Sequence, residues 1–204
     1  AAQPNDEFFT MQWHYAAMDL PAAWDVTQGA DDVTAVIIDT GILVDHPDLE
    51  SRVATLGADL IDDPSVANDG DGRDDDGDDA GDQACGADCH SHHGSHVAGT
   101  MGAATDNGIM VAGVTWAGRL IPARALGAGG GSLADIADAI EWAVGNDVDG
   151  VATNPYPADV INMSLGGNGE SSAMNDAVSD AVAAGALVIV AAGSYQMTFI
   201  TREY

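Results

Sequence analysis

With 204 residues, 46% of them apolar, the chain is long enough for one sizeable domain with a real core. Five Lys and Arg against 33 Asp and Glu give a formal net charge of -28, which excludes nucleic acid as a natural partner because phosphate binding needs a basic surface. The same excess makes the folded chain repel itself, so divalent cations or high salt are expected to stabilise it, and no run of about 18 apolar residues is present to span a membrane as a helix.

The start, Ala1 to Asp6, carries no basic segment, so any signal peptide is expected to have been removed already or never to have existed. Residues 8 to 30 read as an irregular arm with a short helix starting near Pro21. Val33 to Ile38 is a continuous β-branched run closed by Asp39, Thr40 and Gly41, which suits a strand buried on both faces. Further strands are predicted over Arg119 to Leu126, Asp159 to Leu165 and Ala186 to Ala192. Ser132 is predicted to cap a helix with Leu133, Ile136, Ala137, Ile140 and Ala143 inward. Ser171 or Ser172 starts another, with Met174, Ala177, Val178, Ala181 and Val182 inward and Gly185 ending it. Strands alternating with helices of this length predict an α/β fold, a parallel sheet flanked by helices, with functional groups at the carboxyl ends of the strands.

Acidic residues concentrate between Asp62 and Asp88. Asn68 to Asp76 alternates carboxylates with glycines, and glycines let a loop fold around Ca²⁺, which takes six to eight oxygens. The loop begins like half an EF-hand but has Ala80 where that motif needs its twelfth-position Glu. It reads as a calcium loop with Asp69, Asp71 and Asp74 as ligands, or as a merely solvated acidic loop. Cys85 and Cys89, the only cysteines, are expected to form a small disulfide in an oxidising compartment; two plain thiols, or zinc with His90 or His92, are the alternatives.

His93 opens His93-Gly94-Ser95-His96-Val97-Ala98-Gly99-Thr100, whose small residues let a helix sit close to a sheet. An imidazole accepts a proton from a nucleophile only when its tautomer is fixed, and a buried carboxylate on the far ring nitrogen does this. Asp39, ending a rigid strand, is well placed for that task.

Together these residues resemble the subtilisin-like serine peptidases, the subtilases. Val36 to Ile42 followed by His46-Pro47-Asp48-Leu49 resembles the family's aspartate motif, and His93 to Thr100 its histidine motif. Val160 to Gly167 resembles the substrate-binding strand, and Val188 to Gly193 the strand before the oxyanion asparagine. The resemblance implies the subtilisin-like three-layer fold, C-terminally incomplete, over residues 1–193 with an atypical tail over 194–204. It implies a secreted, calcium-dependent serine endopeptidase with Asp39 as orienting acid and His93 as general base, His92 and His96 being structural or exposed neighbours. A peptide or protein substrate would add as a strand between Gly129-Gly130-Gly131 and Ser164-Leu165-Gly166. A shared calcium site is implied at Asp48, Asn107 and the backbone of Val111, with Gln12 completing it.

Two family features are missing. Ser194 stands where the oxyanion asparagine is expected, a loss worth about 10²- to 10³-fold in turnover. The motif that carries the nucleophilic serine is absent before Tyr204, so weak or no activity is expected. The tail from Ser194 to Tyr204 reads as a frameshifted end or a natural short one. The alternatives are a hydrolase using another serine or a complementing C-terminal part, and an acidic calcium- or peptide-binding module without catalysis. Apolar edges left after Ala192 would favour self-association.

Overall fold

The computed structural model describes residues 3 to 192 apart from Ala87, Asn168 and Glu170. A short 3₁₀ turn at Phe9–Met11 leads into α1 (Trp13–Ala17) and α2 (Leu20–Trp24), followed by β1 (Thr34–Asp39), β2 (Ala58–Asp59) and α3 (Pro64–Ala67). Then come α4 (His93–Gly102), β3 (Arg119–Arg124), α5 (Leu133–Ala143), β4 (Val160–Met163), α6 (Ser172–Ala183) and β5 (Leu187–Val190). The five strands form one sheet in the order β2-β3-β1-β4-β5, and every pairing is parallel.

β1 lies at the centre with all six residues buried, as its unbroken apolar run requires when both faces are covered. Val36 and Ile38 pack with Ile136, Ile140 and Trp142 of α5 and with Ala177 and Ala181 of α6. Ala35 and Ile37 face the other way, onto Ala98 of α4 with Leu49 and Leu120. Helices on both sides of the sheet make three layers, as predicted.

The predicted strands overshoot at their carboxyl ends. Ala125 and Leu126 lie past β3 because both backbone N–H groups turn back to donate to Asp39 O, at 3.0 and 3.1 Å, and the ladder stops there. Ser132 caps α5 and Ser171 caps α6, each hydroxyl accepting from the backbone N–H three residues on. Gly185, at φ 101°, closes α6. Two inward assignments fail. Val182 is 56% exposed because the face of α6 that packs on the core is made by Met174, Ala177, Val178 and Ala181, and residue 182 falls on its flank. Leu133 is 38% exposed because it is the first helical residue, next to the cap, where α5 leaves the core.

The N-terminal arm docks through buried aromatics. Tyr15 Oη donates to Ala112 O at 2.6 Å, Trp24 Nε1 to Val114 O at 2.8 Å, and Trp24 packs edge-on against Tyr15. Burial pushes the Tyr15 phenol up to about 12, so it stays a donor at all ordinary pH. β5, at one edge of the sheet, exposes Leu187, Ile189 and Val190. Among the described residues no helix is long and apolar enough to cross a membrane.

Beneath the carboxyl ends of β2 and β3 sits a fully buried guanidinium. Arg124 pairs across the ladder with Asp59, and its Nη1 also meets Asp69 Oδ2 at 2.6 Å while Nη2 donates to Ala67 O. Burial pushes the Asp59 carboxyl up to about 7, an effect larger than the opposing pull of Ile61 N–H and Arg124.

Candidate active site and ion-binding loops

Asp39 is the last residue of β1 and is fully buried. Its two carboxylate oxygens lie 2.8 and 3.0 Å from Nδ1 of His93, and Oδ1 also accepts Thr40 N–H at 2.8 Å. His93 is the first residue of α4, its ring about half exposed. With Nδ1 turned to the carboxylate, Nε2 is the nitrogen left to take a proton from a reacting group. The structure thus brings Asp39 and His93 together.

What brings α4 so close is Gly94. A Cβ there would lie 2.1 Å from Gly41 O and 3.1 Å from Asp39 Cβ, so only glycine lets the helix start rest on the end of β1. Gly41, at φ 94°, makes the turn that presents that carbonyl. Thr40 Oγ1 accepts Gly94 N–H at 3.0 Å, and Ser91 Oγ accepts His93 N–H at 3.2 Å.

Burial raises the Asp39 carboxyl above its ordinary range; the hydrogen bonds from His93 and Thr40 oppose this, and the charge of Asp79 adds to it. A carboxyl raised on folding favours the native state at low pH, and that contribution is lost as pH rises through the folded value. Asp39→Asn is therefore expected to melt a few degrees above the parent at pH 8, the gain shrinking as the pH is lowered toward the carboxylate range. Thermal scans of both proteins across pH check this; an Asn variant less stable at every pH would show that the His93 interaction outweighs burial.

The predicted substrate segments flank this pair. β3 and β4 are the two neighbours of β1, so residues 129–131, after β3, and 164–166, after β4, leave the sheet on either side of Asp39. Gly127 and Gly130 exchange backbone hydrogen bonds at 2.9 and 3.0 Å in a tight turn, and Gly129, Gly130 and Gly131 are exposed. Gly166 is exposed too, whereas Leu165 packs against the sheet core. The nearby serine hydroxyls are committed elsewhere: Ser95 Oγ accepts Leu43 N–H at 2.8 Å and Ser164 Oγ accepts from Asn162 at 3.0 Å. Ser194 and the tail lie outside the described residues.

Cys85 and Cys89 are joined as a disulfide, so neither sulfur remains as a thiolate for zinc. His92 sits beside Asp79, Nδ1 to Oδ2 3.2 Å, a pairing that sequence reasoning did not anticipate. His96 lies on the outward side of α4.

Asp48, Asn107 and Val111 come together. The buried Asp48 carboxylate accepts Asn107 Nδ2 at 2.9 Å and Val111 N–H at 3.1 Å. Gln12 does not join them; its amide closes two hydrogen bonds with the backbone of Ala112, one residue further on. Asp6, unremarked in the sequence, grips the same loop: Oδ2 accepts Asp106 N–H at 2.9 Å, while Oδ1 is buried without a partner. A buried carboxylate held only by neutral donors, and a second carboxylate, from the arm, that grips the same loop at Asp106 with one oxygen left orphaned, are oxygen donors of the kind a hard cation takes.

The glycine–aspartate loop is arranged otherwise. Asp69 is engaged by Arg124, and Asp74 exchanges backbone bonds with Asp59 while its Oδ1 accepts Asp76 N–H at 2.8 Å. Burial, and then the charges of Asp71, Asp76 and Asp69, hold the Asp74 carboxyl above its ordinary range. Among the described residues no three His, Cys, Asp or Glu side chains already converge to hold a metal. The all-oxygen donors and their mutual repulsion are nonetheless those that a calcium ion relieves.

The subtilase family model matches residues 30–202. An extracellular protease of Xanthomonas campestris is 46% identical over 204 residues, covering 94% of this chain and 35% of that protein. An extracellular basic protease of Dichelobacter nodosus is 40% identical, over 95% of this chain and 34% of its own length. Among solved structures, a protease of Pseudoalteromonas arctica superposes with a TM-score of 0.85 at 45% identity, over 93% of this chain and 58% of that one. The chain thus spans about a third of the length of these two curated relatives. The motifs, the three-layer parallel sheet and these matches agree, and the chain belongs to the subtilase family.

Proposed function

We propose that this chain is the Asp- and His-bearing part of a secreted, calcium-binding serine endopeptidase. The observation that carries the reading is the Asp39–His93 pair at the carboxyl end of the central strand, whose two neighbouring strands lead into the exposed glycines 129–131 and 166. Asp39 holds the Nδ1–H tautomer of His93; Nε2 accepts the proton of a serine hydroxyl as its oxygen attacks the scissile carbonyl, and returns it to the leaving amine. Since the serines near the pair are engaged elsewhere, the nucleophile is assigned to a segment outside the described residues, and the 204-residue chain alone is expected to turn over weakly or not at all. Secretion accords with the extracellular names of the relatives and with the disulfide. The exposed β5 edge accords with self-association or with a complementing C-terminal part.

Casein hydrolysis by the protein secreted from the encoding gene, with His93→Ala beside it, tests the reading. The peptidase assignment expects activity that falls by several orders of magnitude in the variant, because triad members act as a unit. Peptide affinity that survives His93→Ala without any hydrolysis would favour the binding module instead.

Calcium enters as part of the proposal. Asp48, Asn107, Val111 and Asp6 would hold one ion, and Asp71 and Asp74 with Asp69 a second. An ion held there would neutralise charge where the N-terminal arm, through Asp6, meets the 105–112 loop. Chelation with EDTA is expected to lower the melting temperature by roughly 5–10 °C, the range for a ligand contributing a few kcal/mol in a domain of this size. Asp48→Asn is expected to remove most of that response; an unchanged melt with EDTA would overturn the assignment.

A further inference from the structure

Asp79 is a second buried carboxylate beside the pair, and no step assigned above uses it. Its side chain is fully buried and every polar atom is engaged. Oδ1 accepts Gly81 N–H at 2.9 Å; Oδ2 lies 3.3 Å from Thr40 Oγ1 and 3.2 Å from His92 Nδ1. The segment bearing it is laid along the chain that leaves β1: Ile42 N–H donates to Gly77 O at 3.1 Å and Val44 N–H to Asp78 Oδ1 at 3.1 Å.

Those two contacts of Oδ2 fall on the residues adjoining the dyad. Thr40 follows Asp39, its own N–H donating to the Asp39 carboxylate, and its hydroxyl also accepts Gly94 N–H, the residue after His93. His92 precedes His93 and is held at φ 47°, a left-handed conformation costly for a residue with a Cβ, at the helix N-cap. Its ring does not cap the helix; it turns to Asp79 instead.

We propose that Asp79 is a positioning residue for the Asp39–His93 pair, tying Thr40 and His92 so that the strand end and the helix start carrying the two groups are fixed against each other. The inference rests on the reading that this pair is the working dyad, yet its test needs no hydrolysis. The charged or titratable groups around Asp79 are His92, with the His90 ring 5.8 Å from it and packed against Gly81, and, across Thr40, Asp39, and the field of Asp79 already bears on Asp39.

The test is an NMR pH titration of the His93 imidazole, with the Nδ1 proton shared with Asp39 observed directly, in the parent, Asp79→Asn, Thr40→Val and Thr40→Ser. Asn keeps an acceptor for Thr40 while removing the charge, so the imidazolium loses support and the His93 pKa is expected to fall by on the order of half a unit. Thr40→Val cuts the link to Asp79 and to Gly94, and is expected to shift the pKa in the same sense and to broaden the Nδ1 proton; Thr40→Ser leaves both within about 0.2 unit and unbroadened. If Asp79→Asn does not fold, the Val and Ser pair decides. A His93 pKa and Nδ1 proton unchanged in folded Asp79→Asn and Thr40→Val would overturn the proposal and leave Asp79 a loop anchor, whatever the casein assay returns.

Discussion

Arg124→Met is expected to destabilise the fold by about 3–5 kcal/mol, the cost of breaking a buried ion pair by removing one partner. Three acceptors converge on the guanidinium: Asp59 on β2, Asp69 on the glycine-rich loop and Ala67 O at the end of α3. Methionine fills much of the volume but donates nothing, so Asp59, fully buried, keeps Ile61 N–H and the Asp69 carboxyl but no cation. Denaturant titration should show a lower midpoint at unchanged slope if the native state stays compact. The double variant Arg124→Met with Asp59→Asn removes the stranded charge and is expected to recover roughly half of the loss, because an unpaired buried charge accounts for much of it. No recovery would mean that the guanidinium matters for its bond to Ala67 O and the loop it anchors.

Gly94→Ala is expected to cost about 3 kcal/mol, at the upper end of what overpacking by one methyl usually costs. The obstacle is the carbonyl of Gly41, which lies in the turn between Asp39 and the segment it pairs with, so neither side yields easily. The start of α4 must lift, and His93 lifts with it. Two signals should therefore change together: a lower melting temperature and loss of the sharp Nδ1 proton between His93 and Asp39. Gly99→Ala on the same helix is the control. A Cβ there meets nothing within 4 Å, so this substitution is expected to stabilise by about 0.5–1 kcal/mol through helix propensity. Equal effects at the two positions would show that close approach is not what glycine 94 provides.

Periodicity and caps made most of the fold legible in advance. β1 was readable because a strand buried on both faces is apolar throughout, and α5 and α6 because Ser132 and Ser171 are local signals. Short elements such as β2 and α3 carry too few residues to show a period. Of the candidate site, Asp39 and His93 were readable from motifs. Asp79, Asp6 and the partners of Arg124 were not, since their roles rest on contacts between residues far apart in the chain. The acidic run from 62 to 88 illustrates the difficulty. Its composition suggested one ion-binding loop, yet the structure divides it: Asp69 goes to Arg124, Arg73 to Asp135 and Asp138, Asp79 to Thr40 and His92 and Asp82 to Ser91. Identical side chains acquire different functions from what lies opposite them, and composition alone does not specify that.

The docking of the N-terminal arm distributes mutational tolerance unevenly. Gln12, Tyr15 and Trp24 reach for the backbone carbonyls of Ala112 and Val114, which any residue in those places would supply. The loop entering β3 can therefore change its side chains and still be gripped wherever they leave room for the rings. The arm has no such freedom, for no other residue type offers the same donor at the end of the same apolar body. Saturation mutagenesis of the two segments should reveal a different kind of intolerance on each side: chemical in the arm, where the donor is needed, and purely steric in the loop, at the buried Ala112 and at Gly113, where a Cβ would lie 2.5 Å from Ala103 N.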